Sequence, residues 1–137
     1  MTPPRLPGRA PRLLVSGAIG AILAAGVGAS CESTPTRIPP PQVPNGNPQQ
    51  GAQEIQRFGC GACHVIPGIR GATGKVGPPL TDFSERGFIA GELPNNGDNL
   101  VRWIMDPKGV EPGTAMPDLG VTDQQASDIA AYLFTLR

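Results

Sequence analysis

Five consecutive residues, Cys60-Gly61-Ala62-Cys63-His64, limit what this chain can become more than any other stretch. Two thiols spaced C-x-x-C and followed by histidine form the attachment pattern of c-type haem. Each thiol adds to one of two vinyl groups on the same haem edge, and the next residue, His64, then lies beneath the iron as a proximal imidazole ligand. Three other readings compete. A structural zinc site needs four ligands at tetrahedral spacing, but the chain holds three cysteines and one histidine, with Cys31 far away. A thioredoxin-like redox pair expects a βαβ pattern around the cysteines, whereas Gly, Pro and short helical stretches surround these. A simple disulfide of an exported protein would leave the adjoining His64, the sole histidine, without a role. The haem reading uses all three side chains.

The rest of the composition fits a cofactor-centred core. With 19 glycines, 17 prolines and few aromatics in 137 residues, a loop-rich chain is expected, with one small domain and a leader. Such a domain buries too little apolar surface to fold unaided. Burial of roughly 500 Å² of macrocycle at ~25 cal/mol/Å² contributes on the order of 10 kcal/mol. The haem is therefore expected at the centre of the core, and the apo chain is expected to be unfolded.

The formal net charge of zero hides a division. Arg5, Arg9 and Arg12 lie in the N-terminal segment, and from Glu32 onward eight Lys/Arg face eleven Asp/Glu, a net of −3. Nothing in this balance argues for nucleic acid or an acidic membrane surface.

Residues 1–12 carry three arginines and no acids, and Leu13 to Ser30 is uncharged and apolar or small. This is the pattern of an export signal over residues 1–30, and its length also suits an uncleaved membrane anchor. Gly28-Ala29-Ser30-Cys31 resembles a lipobox, in which Cys31 becomes the lipidated first mature residue. Lipid anchor, uncleaved helix and soluble export all remain open, and all three place the rest of the chain outside the cytoplasm, on the periplasmic side of the membrane. Residues 31–48 read as a tether rich in proline. Counted from Glu32 to Gln50, such a segment in the polyproline II form spans on the order of 60 Å.

Residues 49–137 read as the folded domain. The spacing of Ala52, Ile55 and Phe58 predicts a first helix over 48–59, with Pro48 in its first turn and Gly59 ending it and leaving room for the haem. Seven glycines and prolines between Val65 and Pro79 predict a loop. Its Gly77-Pro78-Pro79-Leu80 stretch is either an ordinary turn or the source of a carbonyl that fixes the second ring nitrogen of the proximal histidine. Phe88 to Leu93 reads as a short helix. Asp98 looks like the N-cap of a helix over 99–106, with Leu100, Trp103 and Ile104 on one face and Pro107 ending it. Residues 107–121 form another Gly/Pro loop. Thr122-Asp123-Gln124-Gln125 is a capping box that opens a helix over 123–136, whose buried stripe is Ala126, Ile129, Ala130 and Leu133.

With one histidine, the distal ligand is Met, Lys, water or nothing. Met105 sits within a helix, where core packing is its expected job. Met116 sits in a loop restrained by Pro117, which can carry a thioether to the iron without breaking helix geometry, so Met116 is the expected ligand. His/Met ligation raises the reduction potential and fills both axial positions. That favours electron transfer over chemistry on a small-molecule substrate. A peroxidase-like enzyme would need an open distal side and a distal acid or base, and the only histidine is already used.

In order along residues 49–137, the C-x-x-C-H, the Gly-Pro-x-Leu turn, the Met116-Pro117 loop and the C-terminal amphipathic helix resemble class I c-type cytochromes. The resemblance implies an all-α fold in which the first and last helices cross near Gly59 and Tyr132 around one covalent haem c. It implies haem attachment at Cys60 and Cys63 and iron ligation by His64 and Met116. Pro78 would orient the histidine, and Arg86 and Trp103 would contact the haem propionates. A narrower resemblance links Gly77 to Thr81, Ile89 to Asn95, Asn99 to Pro107 and Pro112 to Pro117 to the cytochrome c domain fused to subunit II of bacterial haem-copper oxidases. A departure from that pattern is expected, with no copper-binding domain and a leader of its own. Two functions follow as expectations. One is an anchored carrier that passes single electrons between redox protein partners of a respiratory chain. The other is a permanent electron-port subunit of a terminal oxidase or dehydrogenase complex.

Overall fold

A computed structural model describes residues 42–137. The expected signal or anchor, Cys31 and most of the tether lie outside the described residues. The described part contains four helices, α1 (Pro48–Arg57), α2 (Gly97–Met105), α3 (Pro107–Val110) and α4 (Asp123–Leu133). A two-stranded hairpin pairs β1 (Phe88–Ile89) with β2 (Leu93–Pro94). Among the described residues no helix is long and apolar enough to cross a membrane.

Helix α1 begins where Asn47 turns from extended backbone and its side chain accepts hydrogen bonds from the amides of Gln49 and Gln50, with Pro48 in the first turn. It packs mainly on α4, and the contact is set by one missing side chain. A Cβ added at Gly51 would lie 2.0 Å from the Asp128 carbonyl oxygen, so only glycine lets the two backbones touch there. Asp128, 7% exposed, adds a polar clasp. Its Oδ1 accepts from the Asn47 amide at 2.8 Å and from Gln124 Nε2 at 3.0 Å. The helices therefore meet near Gly51 and Asp128. The positions expected for the crossing do other work: Tyr132 donates its hydroxyl to the Pro67 carbonyl at 2.7 Å, and Gly59 has open space where a Cβ would stand.

Helix α4 opens with the expected capping box between Thr122 and Gln125. Its stripe of Ala126, Ile129, Ala130 and Leu133 is buried and joins Ile55 of α1 and Leu100 and Ile104 of α2 in one core. The helix stops at Leu133, three residues before the expected end. Thr135 and Leu136 donate to carbonyls three residues back, so the last turn tightens out of α geometry. The Leu136 carbonyl then accepts from the amide and hydroxyl of Ser84, tying the C-terminus to the turn Phe83–Glu85.

Two further local expectations are corrected. Phe88–Leu93 is a hairpin and not a helix, because Ala90 and Gly91 both take positive φ (53° and 83°), which reverses the chain. The cap of α2 is Asn96 and not Asp98: Asn96 is extended and its side chain accepts from the Asn99 amide at 3.0 Å, while Asp98 sits in the first turn, where its charge suits the helix dipole. Pro107 does end α2 and also opens α3, for which Asp106 supplies the cap through the Gly109 amide.

Candidate functional site

Only Phe58 and Gly59 separate the end of α1 from the C-x-x-C-H segment. Gly59 has φ of 69°, a left-handed conformation that favours glycine and turns the chain sharply out of the helix, and it lines the cavity described below. Cys60–Ala62 then form a single 3-10 turn, and the amides of Cys63 and His64 both return to the Cys60 carbonyl. The following loop wraps back over this turn. Gly74 donates to Gly61, Gly77 donates to Cys63, and Leu80 donates to Val65.

That return path brings Pro78 to His64. The Pro78 carbonyl oxygen lies 2.8 Å from Nδ1 of the imidazole. A carbonyl only accepts, so Nδ1 carries a proton, and in the neutral ring Nε2 then keeps its lone pair. The approach depends on Gly77, where an added Cβ would lie 2.3 Å from His64 Cε1.

Cys60, Cys63, His64, Pro78, Arg86, Trp103 and Met116 all line one cavity of about 630 Å³. Most of the remaining wall is apolar and comes from every part of the fold, including Ile55, Ile66, Leu80, Phe83, Leu100, Ile104, Ile129 and Leu133. Met105 does not line this cavity; it lines a separate pocket with Val43, Val101 and Arg102. Within the Met116 loop, the Met116 amide donates to the Thr114 hydroxyl at 3.1 Å. Arg86, expected at the propionates, directs Nη2 to the carbonyls of Pro79 and Thr81.

The donor set discriminates between the chemistries open to two cysteines and a histidine. Burial pushes the Cys60 thiol up, with the nearby Cys63 adding to the rise and a backbone hydrogen bond opposing it. A redox-active C-x-x-C would instead need a thiol held low. Among the described residues no three His, Cys, Asp or Glu side chains converge as a metal set. A cavity of this size and apolarity is in the range that takes a cofactor, and two cysteines at its edge, beside an imidazole held through Nδ1, match a covalently held haem.

The family model for cytochrome c matches residues 48–137. The chain belongs to the cytochrome c family. Its cofactor is covalent haem c, and the domain is an electron-transfer module. The cytochrome c domain is 40% identical over 92 residues to the cytochrome c oxidase subunit 2 of Alkalihalophilus pseudofirmus, covering 64% of this chain and 25% of that protein. It is 35% identical over 82 residues to the protein of the same name from a Bacillus species, covering 57% of this chain and 23% of the relative. A cytochrome c homolog of Bradyrhizobium diazoefficiens is 34% identical over 102 residues, with 64% and 53% covered. The chain thus spans about a quarter of the oxidase subunits it matches and about half of the cytochrome c homolog.

Three features that position the site or hold the fold around it escape a reading by motif. Gly77 was visible only as part of a turn, although its lack of a side chain admits the imidazole. Asp128 interrupts an apolar helix stripe, which marks a buried acid with a partner, but its partner Asn47 is 81 positions away. Asn95, whose Nδ2 donates to the carbonyls of Phe83 and Arg86, has no motif at all.

Proposed function

We propose that this chain is a mono-haem c-type cytochrome that carries one electron at a time in a respiratory chain, on the outer face of the cytoplasmic membrane. The observation that carries the ligand assignment is the sharing of one apolar cavity by His64 and Met116, while Met105 lies outside it. When bound, the haem iron supplies the reversible one-electron change. Cys60 and Cys63 hold the group by thioethers. His64 offers Nε2 to the iron because Pro78 keeps the proton on Nδ1. Met116 offers a thioether from a loop whose Thr114 hydroxyl fixes its amide. The apolar wall keeps water from the site and, with a thioether donor, favours a raised potential. Trp103 lines the same cavity and is assigned to the propionate edge. Residues 1–30 serve as export signal or anchor, Cys31 as a lipidation site, and 31–48 as the tether to the haem domain.

A second reading, a permanent electron port of a terminal oxidase, is favoured by the similarity to oxidase subunits 2. A native gel of gently solubilised membranes, stained for haem and for oxidase activity, separates the two. A free haem band near the monomer mass, in the membrane fraction, supports the anchored carrier. Stoichiometric co-migration with oxidase activity supports the subunit, and a haem band found only in the soluble fraction contradicts the anchor.

A further inference from the structure

The segment that supplies the acceptor for His64 has an unusual handicap. Pro78 and Pro79 carry no backbone N–H, so neither can tie itself to a neighbour by donating. Only their carbonyls can be held, and the holder must come from elsewhere. Downstream, the Leu80 amide donates to Val65 at 2.8 Å. Upstream, the Gly77 amide donates to Cys63, also at 2.8 Å. Between these two ties the carbonyls are held by one side chain. Nη2 of Arg86 bears two N–H groups and donates to the Pro79 carbonyl and to the Thr81 carbonyl, the latter at 3.0 Å.

Arg86 is itself held at its guanidinium and at its backbone. Its guanidinium carbon stands 5.3 Å from the ring centre of Phe83, a residue 5% exposed. Phe83 packs on Phe134 with ring centres 5.9 Å apart. Asn95 Nδ2 donates to both the Phe83 and the Arg86 carbonyls, at 2.9 and 3.0 Å, and so fixes the turn from which the arginine projects.

We infer that Arg86 is a positioning residue for the proximal ligand. By clasping the carbonyls on either side of Leu80, it aims the Pro78 carbonyl at His64 Nδ1 and preserves the tautomer that leaves Nε2 free. The role rests on the reading of His64 as iron ligand and goes beyond it. It requires a planar guanidinium that stacks on Phe83 while one nitrogen serves two acceptors, which lysine does not reproduce.

The test follows the His64 Nδ1 proton by NMR in the reduced holoprotein, alongside the reduction potential as a function of pH. Arg86→Gln and Arg86→Lys are both expected to retain one covalent haem by intact mass. Both should exchange the Nδ1 proton faster by about tenfold, the weight of a single lost hydrogen bond. Unchanged exchange in both variants overturns the inference. So does recovery in Arg86→Lys with a changed pH dependence of the potential only in Arg86→Gln, which makes Arg86 a charge partner of the haem carboxylates. In the unmodified protein the Arg86 Nη2 protons should exchange slowly, and exchange at the rate of free arginine overturns the inference even where neither variant folds. An unmodified protein with no haem-shifted His64 ring signal removes the ligand reading itself and the inference with it.

Discussion

The Nδ1–H of His64 donates to the Pro78 carbonyl across 2.8 Å, and the ring reaches that position only because residue 77 has no side chain. Gly77→Ala places a methyl against the imidazole. The expected outcome is a loss of ~1–3 kcal/mol from overpacking, which for a domain of this size lowers Tm by roughly 4–8 °C per kcal/mol. Thermal unfolding of the holoprotein checks it. The same variant should perturb the haem-shifted His64 signals, which a purely distant packing defect leaves in place.

The contact between α1 and α4 makes a separate prediction about stability. Gly51→Val drives a branched side chain into the Asp128 backbone, with no flexible neighbour to yield. Asp128→Leu removes the acceptor of the Asn47 amide and Gln124. Loss of hydrogen bonds to a charged acceptor costs about 1.5–3 kcal/mol, and the glycine variant is expected to cost at least as much. Denaturant unfolding of the holoprotein measures both. Because these positions touch neither His64 nor Met116, the reduction potential of the folded fraction should stay unchanged.

Met116→Ala removes the thioether from the cavity. The potential is expected to fall by more than ~59 mV, a factor of ten for a one-electron couple, and the iron should bind added imidazole or cyanide. Met105→Ala, in a separate pocket, should do neither. Potentiometric titration and ligand binding monitored by absorbance distinguish the pair, and an unchanged potential in Met116→Ala counts against the assignment.

Tyr132 offers a pH test. Burial raises its pKa above the ordinary value, and its hydroxyl donates to Pro67. A raised folded pKa means the contribution is complete below the ordinary tyrosine range, about pH 10, and is lost as pH rises through the folded value. The unmodified protein should therefore lose stability relative to Tyr132→Phe on alkaline titration, and the two should run parallel near neutrality. Parallel curves throughout would show that the hydroxyl contributes nothing linked to its ionisation.

What could be read from the residues alone was local or covalent in origin. The C-x-x-C-H carries its chemistry in five adjacent positions, and the capping box and stripe of α4 depend on spacing within one helix. The errors arose where two stretches compete or meet. Asn96 and Asp98 are both good caps, and the extended backbone at Asn96 decided between them. Phe88 to Leu93 is apolar enough for a helix, but Ala90 and Gly91 in left-handed geometry make it a hairpin. The helix crossing at Gly51 and Asp128 depends on tertiary contact between positions far apart in the chain. The preference for Met116 over Met105 rested on loop against helix; Met116 lines the cavity that His64 lines, and Met105 lines a separate pocket.

The most direct test of the account is the intact mass of the denatured protein, produced in a host that exports proteins and attaches haem. The account predicts a chain heavier by one haem that resists extraction. In the Cys60→Ser/Cys63→Ser variant that mass should be lost, together with any cooperative thermal transition. An unmodified chain without added mass, or a haem retained covalently by the double variant, would contradict attachment through these two cysteines.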